Sequence, residues 1–164
     1  MFQHRIRALA KALVGHCLLR LGLGGVLGQL GNGELDITLA FVARFVGFEN
    51  LVPMKVVARD GAKITAEAAG GVKLTLSLEH FGAIPDNFVL ACRADGLAVT
   101  DNMAAEGIPT TLGLRTYLGR AYQYQSETAA GMLVANGPLS RPLEPGSNAK
   151  LVPVPDQCTI LAVE

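Results

Sequence analysis

The chain has 164 residues, which suits one domain of ordinary size or two small ones and is long enough to bury a core without disulfide bonds. Half of the residues are hydrophobic, 17% are charged and the mean hydropathy is +0.35, so we expect part of the surface to be apolar and to contact a partner. Fourteen basic residues balance fourteen acidic ones and form no long basic stripe, which argues against nucleic-acid binding.

Residues 1–33 contain basic residues and no acidic ones. Apolar residues recur there at three- and four-residue intervals, as on one face of a helix: Ile6, Leu9, Leu13, Cys17 and Leu21. We predict one amphipathic helix within residues 3–20, packed on the domain or on another subunit; a helix lying on a membrane surface is the alternative. Charges interrupt the apolar runs, so we expect neither a membrane span nor an export signal.

The segment 21–33 is rich in glycine but does not match a phosphate-binding loop. Leu27 stands where a dinucleotide loop needs its third glycine, and no lysine for a nucleoside-triphosphate loop lies between Lys11 and Lys55. We therefore interpret residues 1–40 as an amphipathic helix followed by a flexible, glycine-rich connection.

From residue 41 onward, short runs rich in valine, threonine, leucine and phenylalanine are separated every 8–12 residues or so by turn signals. Apolar and polar residues alternate in VKLTLSL (72–78), which indicates a strand with one solvent-exposed face. This pattern predicts a mainly β domain over residues 41–164, a small barrel or a sandwich. The candidate strands are 51–58, 62–68, 72–78, 87–93, 97–100, 111–118, 121–127, 131–136, 149–154 and 158–163.

The chain also contains an internal repeat at an offset of 61 residues. The tripeptide AAG at 68–70 falls on AAG at 129–131, and residues 86–99 fall on 147–160. Two separated matches at one offset predict two similar β-units of roughly 60 residues each, which either close one barrel together or form two small ones. The predicted units are about 41–100 and 108–164.

Residues 41–53, FVARFVGFENLVP, resemble the start of the transport-associated OB (TOBE) domain at the C-terminus of the ATP-binding subunits of ABC importers. The preceding GVLGQLGNGEL (25–35) is similar to the family's G-x-I-x-Q-x-G-T-P-x-E-L, with Asn32-Gly33 in place of Thr-Pro. Three later segments resemble motifs of the family in order and spacing: LACRADGL (90–97), with Ala94-Asp95 in place of the family's Pro-Glu, YLG with YQY (117–124) and LEPG (143–146). The resemblance covers residues 25–164 and implies an OB-like β-barrel.

The chain lacks what makes those subunits ATPases, namely the phosphate loop, the Leu-Ser-Gly-Gly-Gln signature and the strand that ends in two carboxylates. We therefore expect no ATP hydrolysis, no other enzymatic activity and no cofactor. Because related subunits meet through these barrels, the resemblance implies a homodimer, or docking on an ABC transporter ATPase or permease. The candidate interface residues are Phe41, Phe45 and Phe48.

The sequence shows no constellation for metal binding or nucleophilic catalysis. The histidines and cysteines are far apart and have no metal-ligand spacing: His4, His16, His80, Cys17, Cys92 and Cys158. The cysteines are odd in number and show no pairing pattern, which favours a reducing compartment. No serine occurs in a G-x-S-x-G nucleophile elbow.

Molybdate-binding relatives hold the oxyanion at the strand that follows S-A-R-N, and the corresponding stretch here is GFEN (47–50). The resemblance makes Phe48, Glu49 and Asn50 the candidate ligand-binding residues. Glu49 places a negative charge where those relatives have arginine, and this charge would repel an anion.

Two functions follow from these observations. The first is an accessory, regulatory interaction module related to an ABC importer subunit, which acts by dimerisation or docking in the cytoplasm, peripheral to the inner face of the membrane. The alternative is a free-standing module that binds a small ligand, either an oxyanion or another solute.

Overall fold

The computed structural model of the chain describes residues 47–162 together with Ala43. The contacts between residues divide the chain into two units, Met1–Gly47 with Glu164, and Phe48–Val163. The fold described below is that of the second unit.

Several predictions fall outside the described residues. They are the amphipathic helix within 3–20, the glycine-rich connection and the interface residues Phe41 and Phe45. The domain boundary at 40/41 and the limits of the two β-units remain predictions.

The described part of the chain is mainly β, as the sequence predicts. The first five strands are β1 (Asn50–Asp60), β2 (Lys63–Ala68), β3 (Val72–Ser77), β4 (Asn87–Cys92) and β5 (Leu97–Thr100). The next six are β6 (Ile108–Thr111), β7 (Leu114–Tyr117), β8 (Tyr122–Thr128), β9 (Gly131–Gly137), β10 (Asn148–Pro153) and β11 (Cys158–Ala162). Three 3₁₀ turns lie at Ala69–Gly71, Ala94–Gly96 and Pro155–Gln157.

The alternating sequence of β3 places its side chains as predicted. Val72, Leu74 and Leu76 are buried, whereas Lys73 and Thr75 are exposed. Since successive side chains of a strand point to opposite faces, one face of β3 packs into the core and the other meets solvent.

Two local features differ from the sequence-based prediction. A one-turn helix, α1 (Leu78–Phe81), follows β3, because the Ser77 hydroxyl accepts the Glu79 N–H at 3.2 Å and Gly82 ends the turn at a φ of 69°. The predicted strand 111–118 is two strands, β6 and β7. They are separated at Gly113, where a Cβ atom would collide with the backbone of Gln125.

The strands form two sheets. One has the order β11-β4-β1-β2-β3 and the other the order β6-β10-β5-β9-β8-β7. The pairs are antiparallel, apart from a short parallel contact between β5 and β9. The final strand of each half of the chain lies in the sheet of the other half, because β5 pairs with β10 and β11 pairs with β4.

This exchange of strands follows the internal repeat. Strand β4 begins at residue 87 and β10 at 148, the turns after them begin at 94 and 155, and β5 and β11 begin at 97 and 158. Each separation is 61 residues, so the two similar β-units predicted from the sequence are present in the fold.

One buried cluster joins both sheets. It contains Val52, Ile64, Leu74 and Phe88 from the first half and Leu133, Leu151 and Ile160 from the second. A smaller cluster contains Leu112, Tyr124 of β8 and Ala149 of β10. The two β-units of the repeat therefore share a core instead of enclosing two separate ones.

Candidate functional site

The predicted ligand-binding segment, Phe48–Asn50, lies where β1 begins. Asn50 is 1% exposed, and its side chain is fully engaged with backbone groups of two other segments. Its Nδ2 donates to the carbonyl of Val134 at 2.8 Å and to that of Arg93 at 3.3 Å, while its Oδ1 accepts the Val134 N–H at 2.7 Å. Asn50 therefore fastens β1 to β9 and to the chain after β4.

The two preceding residues contact the same region. The Glu49 side chain is exposed, but its Oε2 accepts the backbone N–H of Ala94 at 2.7 Å. Phe48 is buried, and the guanidinium carbon of Arg93 lies 5.6 Å from the centre of its ring, a cation–π contact. Phe48 and Asn50 thus contact Arg93 and Glu49 contacts Ala94, so all three lie at the start of the turn Ala94–Gly96.

Asp95, in the middle of that turn, is the centre of a second set of polar contacts. Its Oδ1 accepts from Asn136 Nδ2 at 2.6 Å, and its Oδ2 lies 3.4 Å from both terminal nitrogens of Arg120. The hydrogen bond from Asn136 lowers the pKa of Asp95, and Arg120 and the charge of Arg93 act in the same direction against the opposing effect of burial.

We call the set Phe48, Glu49, Asn50, Arg93, Asp95, Arg120 and Asn136 the turn cluster. It contains two guanidinium groups and two carboxylates, and both carboxylates already accept hydrogen bonds. Asn136 Oδ1 is buried and has no hydrogen-bond partner among the described residues. The turn cluster therefore brings together guanidinium donors, carboxylates that balance their charge, and a buried acceptor.

The sequence singled out only three members of the turn cluster. Ala94-Asp95-Gly96 and Asn136-Gly137-Pro138 are recognisable from the sequence as turn signals, but nothing in them shows that Asp95 and Asn136 meet. The contact depends on the parallel pairing of β5 with β9, which brings Ala98 beside Asn136. Pairing between strands that are distant in the sequence cannot be predicted from local sequence patterns.

The candidate interface residue Phe48 is 8% exposed and offers little area to a partner. The described apolar side chains that are most open to solvent lie elsewhere. Leu114 and Tyr117 on β7 are 64% and 63% exposed, and Leu118 after them is 42% exposed. Among the described strands, β7 is at the edge of its sheet and pairs with β8 alone.

The cysteines differ from the prediction. Cys92 and Cys158 form a disulfide, although they are 66 residues apart in the sequence and show no recognisable spacing. The expectation of no pairing was wrong because the exchange of β11 into the first sheet places the two residues directly opposite each other. Cys17 lies outside the described residues.

Within the described part of the chain, no three His, Cys, Asp or Glu side chains converge as metal ligands. His80 is exposed at the end of α1. None of the helices in that part is long and apolar enough to cross a bilayer.

Comparison with known proteins shows similarity in structure and none in sequence. No family model matches the chain, and no curated protein does. Forty-one chains of solved structures match, among them a crystal structure of the cytoplasmic molybdate-binding protein ModG with molybdate bound. The TM-score is 0.54 and the identity 16%, over 69% of this chain and 95% of ModG. The likeness supports the OB-like fold that the resemblance to TOBE domains implies.

Proposed function

We propose that this chain is a free-standing module that binds a small ligand at the turn cluster, and that the ligand is an oxyanion. One observation carries the proposal: Phe48 and Asn50 contact Arg93 and Glu49 contacts Ala94, so the segment lies at the start of the turn Ala94–Gly96, whose Asp95 is paired with Arg120. Guanidinium groups present several N–H donors in a fixed plane, which suits an oxyanion.

The two carboxylates of the turn cluster are the obvious objection. Each of them already accepts a hydrogen bond from a group that stays in place, Glu49 from the Ala94 N–H and Asp95 from Asn136, which offsets part of their repulsion of an anion. The contact between Arg120 and Asp95 is long, at 3.4 Å, and the Arg120 side chain is 70% exposed. Such an exposed pair contributes at most about 1 kcal/mol, so Arg120 can turn towards an anion at small cost.

The fold comparison supports the choice of ligand. ModG, which shares the fold over 69% of this chain, is a molybdate-binding protein. We therefore assign oxyanions as the ligand class to this chain, in preference to neutral solutes, and propose a cytoplasmic location like that of ModG.

The experiment is a calorimetric titration of the full chain with molybdate, tungstate, sulfate and phosphate, supported by thermal shifts. We expect binding of at least one of these anions, with an affinity that falls roughly tenfold or more in Arg93→Ala and Arg120→Ala. Arg141→Ala is the matched control, because Arg141 is an exposed arginine paired with Asp101 at 2.6 Å outside the turn cluster. Absence of heat and of any thermal shift at millimolar anion would contradict the proposal.

Docking on an ABC transporter ATPase or permease, or homodimerisation, is the second candidate. The exposed apolar residues Leu114 and Tyr117 of β7 and Leu118 directly after it favour it, because an edge strand with an apolar surface suits contact with another chain. Light scattering of the full chain and of Leu114→Lys tests self-association, and co-purification tests docking. A wild-type monomer that retains no transporter subunit argues against this function.

A further inference from the structure

The disulfide between Cys92 and Cys158 joins the two halves of the chain. Cys92 is the last residue of β4 and Cys158 the first residue of β11, and their Cα atoms are 4.3 Å apart. Strand β11 is at the edge of its sheet and pairs only with β4 among the described strands. The bond therefore fastens an edge strand of the second half to the sheet of the first.

The fold itself does not require a covalent bond at this place. In the repeat, the position of Cys92 is taken by Pro153 and that of Cys158 by Leu97, and these two residues face each other in the pairing of β10 with β5. The same junction is thus made by a cysteine pair in one sheet and by ordinary apolar residues in the other.

The two cysteine residues differ in burial. Cys92 is fully buried, whereas Cys158 is only partly buried. Cys158 is therefore the less buried of the two residues, and we take its sulfur as the point of attack by an external thiolate in thiol–disulfide exchange.

The cysteine pair also borders the turn Ala94–Gly96. Cys158 Sγ lies 3.3 Å from the carbonyl oxygen of Gly96, and that oxygen accepts the Val154 N–H at 2.8 Å. A Cβ atom at Gly96 would lie 2.8 Å from the Gln157 carbonyl oxygen, so the turn packs closely against the residues that precede β11.

We propose that Cys92 and Cys158 are a site of reversible thiol–disulfide exchange, which fixes or releases the start of β11 and the adjoining turn Ala94–Gly96. This inference goes beyond ligand binding and does not depend on it. The reductant is a low-molecular-weight thiol, and the oxidant is the corresponding disulfide.

The exchange proceeds in two steps. An external thiolate attacks Cys158 Sγ, the bond to Cys92 breaks, and the Cys92 sulfur leaves with the electron pair and takes up a proton. A second external thiolate then attacks the external sulfur of the mixed disulfide and releases Cys158 as a thiol. Two external thiols become one disulfide, and the reverse sequence restores the bond in the protein.

The test uses the full chain with Cys17→Ser, so that only the two paired cysteines are counted. The protein is equilibrated with mixtures of reduced and oxidised glutathione, alkylated in denaturant so that both thiols are exposed, and weighed by mass spectrometry. We expect two alkylated thiols in the reducing limit and none in the oxidising limit, with a reversible transition between them. The melting temperature of the oxidised form should be higher by on the order of 10 °C.

Hydrogen exchange adds a readout of the structural consequence. Reduction should speed exchange of the amides in β11 and in the turn Ala94–Gly96, and leave those of β2 and β3 unchanged. The variant Cys92→Ala with Cys158→Val should lose all dependence on glutathione. In Cys158→Ser, which keeps the buried Cys92, the remaining thiol should resist alkylation until the chain is unfolded.

Two results would overturn the proposal. One is a thiol count that does not change over the whole range of glutathione mixtures. The other is a reversible change in thiol count without any change in melting temperature or in the hydrogen exchange of the β11 amides. Both results are independent of whether the chain binds an oxyanion.

Discussion

The side chain of Asn50 makes two hydrogen bonds to the backbone of Val134, at 2.8 Å and 2.7 Å, across 84 residues of sequence. The amide thus pairs with both backbone groups of one residue, as a neighbouring strand would. Asn50 is 1% exposed, so water cannot replace these bonds if the side chain is removed.

We expect Asn50→Ala to lower the free energy of unfolding by about 2–4 kcal/mol, because it leaves the Val134 N–H and carbonyl without partners. Asn148→Ala is the control, since Asn148 is exposed and accepts one hydrogen bond, from Thr111 Oγ1, at 3.3 Å. It should cost less than about 0.5 kcal/mol. Urea denaturation measures both values, and equal losses would show that Asn50 does not have this role.

Stability should depend on the ionisation of Asp95. Its pKa is lowered in the folded chain, first by the hydrogen bond from Asn136, so its carboxylate stabilises the fold above the pKa of the unfolded chain. This contribution is lost as the pH falls through the lowered pKa. Because the Asp95 side chain is 48% exposed, the contribution is about 1 kcal/mol or less.

The measurement compares wild type with Asp95→Asn by urea denaturation at a series of pH values. We expect the variant to be less stable near neutral pH and the difference to shrink in acid. Asp156→Asn removes the acid from the corresponding turn of the second half, where the residue is exposed. This control should leave the free energy of unfolding at neutral pH unchanged. A difference for Asp95→Asn that grows in acid would contradict the assignment.

The sequence allowed much of the fold to be predicted, because the determinants of its strands are local. Alternation in β3 and the turn signals around β4 and β5 place those strands to within a residue or two. The repeat at 61 residues depends on comparing the chain with itself, and it too is visible without a structure. The strand predicted at 111–118 shows the limit, since its break at Gly113 depends on Gln125 of a neighbouring strand.

The candidate site could be predicted only in part. Phe48, Glu49 and Asn50 are named by a resemblance, but their partners are set by which strands lie side by side. Asn136 reaches Asp95 because β9 runs beside β5. Cys158 reaches Cys92 for the same kind of reason. These pairings arise from the exchange of the last strands, and local periodicity does not encode them.

Tyr124 should contribute to stability through its hydroxyl. The side chain is 1% exposed, and its oxygen accepts the Leu143 N–H at 2.9 Å and lies 3.2 Å from the Leu143 carbonyl, to which it donates. We expect Tyr124→Phe to lower the free energy of unfolding by about 1–3 kcal/mol, since it leaves a backbone N–H unpaired in a partly buried place.

Tyr117→Phe is the matched control for Tyr124→Phe. Tyr117 is exposed, and its hydroxyl donates to the Gly119 carbonyl at 3.2 Å, where water can take its place. Its loss should change stability by less than about 0.5 kcal/mol. Thermal and urea unfolding of both variants measure the change in stability. If Tyr124→Phe leaves the free energy of unfolding unchanged, the loop at Leu143 is held by other contacts.

The equivalent turns of the two halves touch each other, and this contact explains a glycine. Gly70 has a φ of 72°, and a Cβ atom built on it would collide with the Cβ of Ala129. The neighbouring Gly71 has a similar φ of 74° but no atom within 4 Å of such a Cβ. At both positions a non-glycine residue would therefore be strained by the left-handed backbone, but only at Gly70 would its Cβ also meet a neighbouring side chain.

We expect Gly71→Ala to lower the free energy of unfolding by about 1–2 kcal/mol, the cost of a side chain in the left-handed region. Gly70→Ala should lower it by a further 1–3 kcal/mol or so, because the close approach of Ala129 adds a steric clash. Replacing Ala129 by glycine in the Gly70→Ala background should restore the stability lost to the steric clash, since the clash involves the Ala129 side chain. The loss caused by the left-handed backbone at residue 70 should remain. Urea denaturation of the three variants measures each part. If Gly70→Ala and Gly71→Ala cost the same, the two turns do not meet in solution as closely as described.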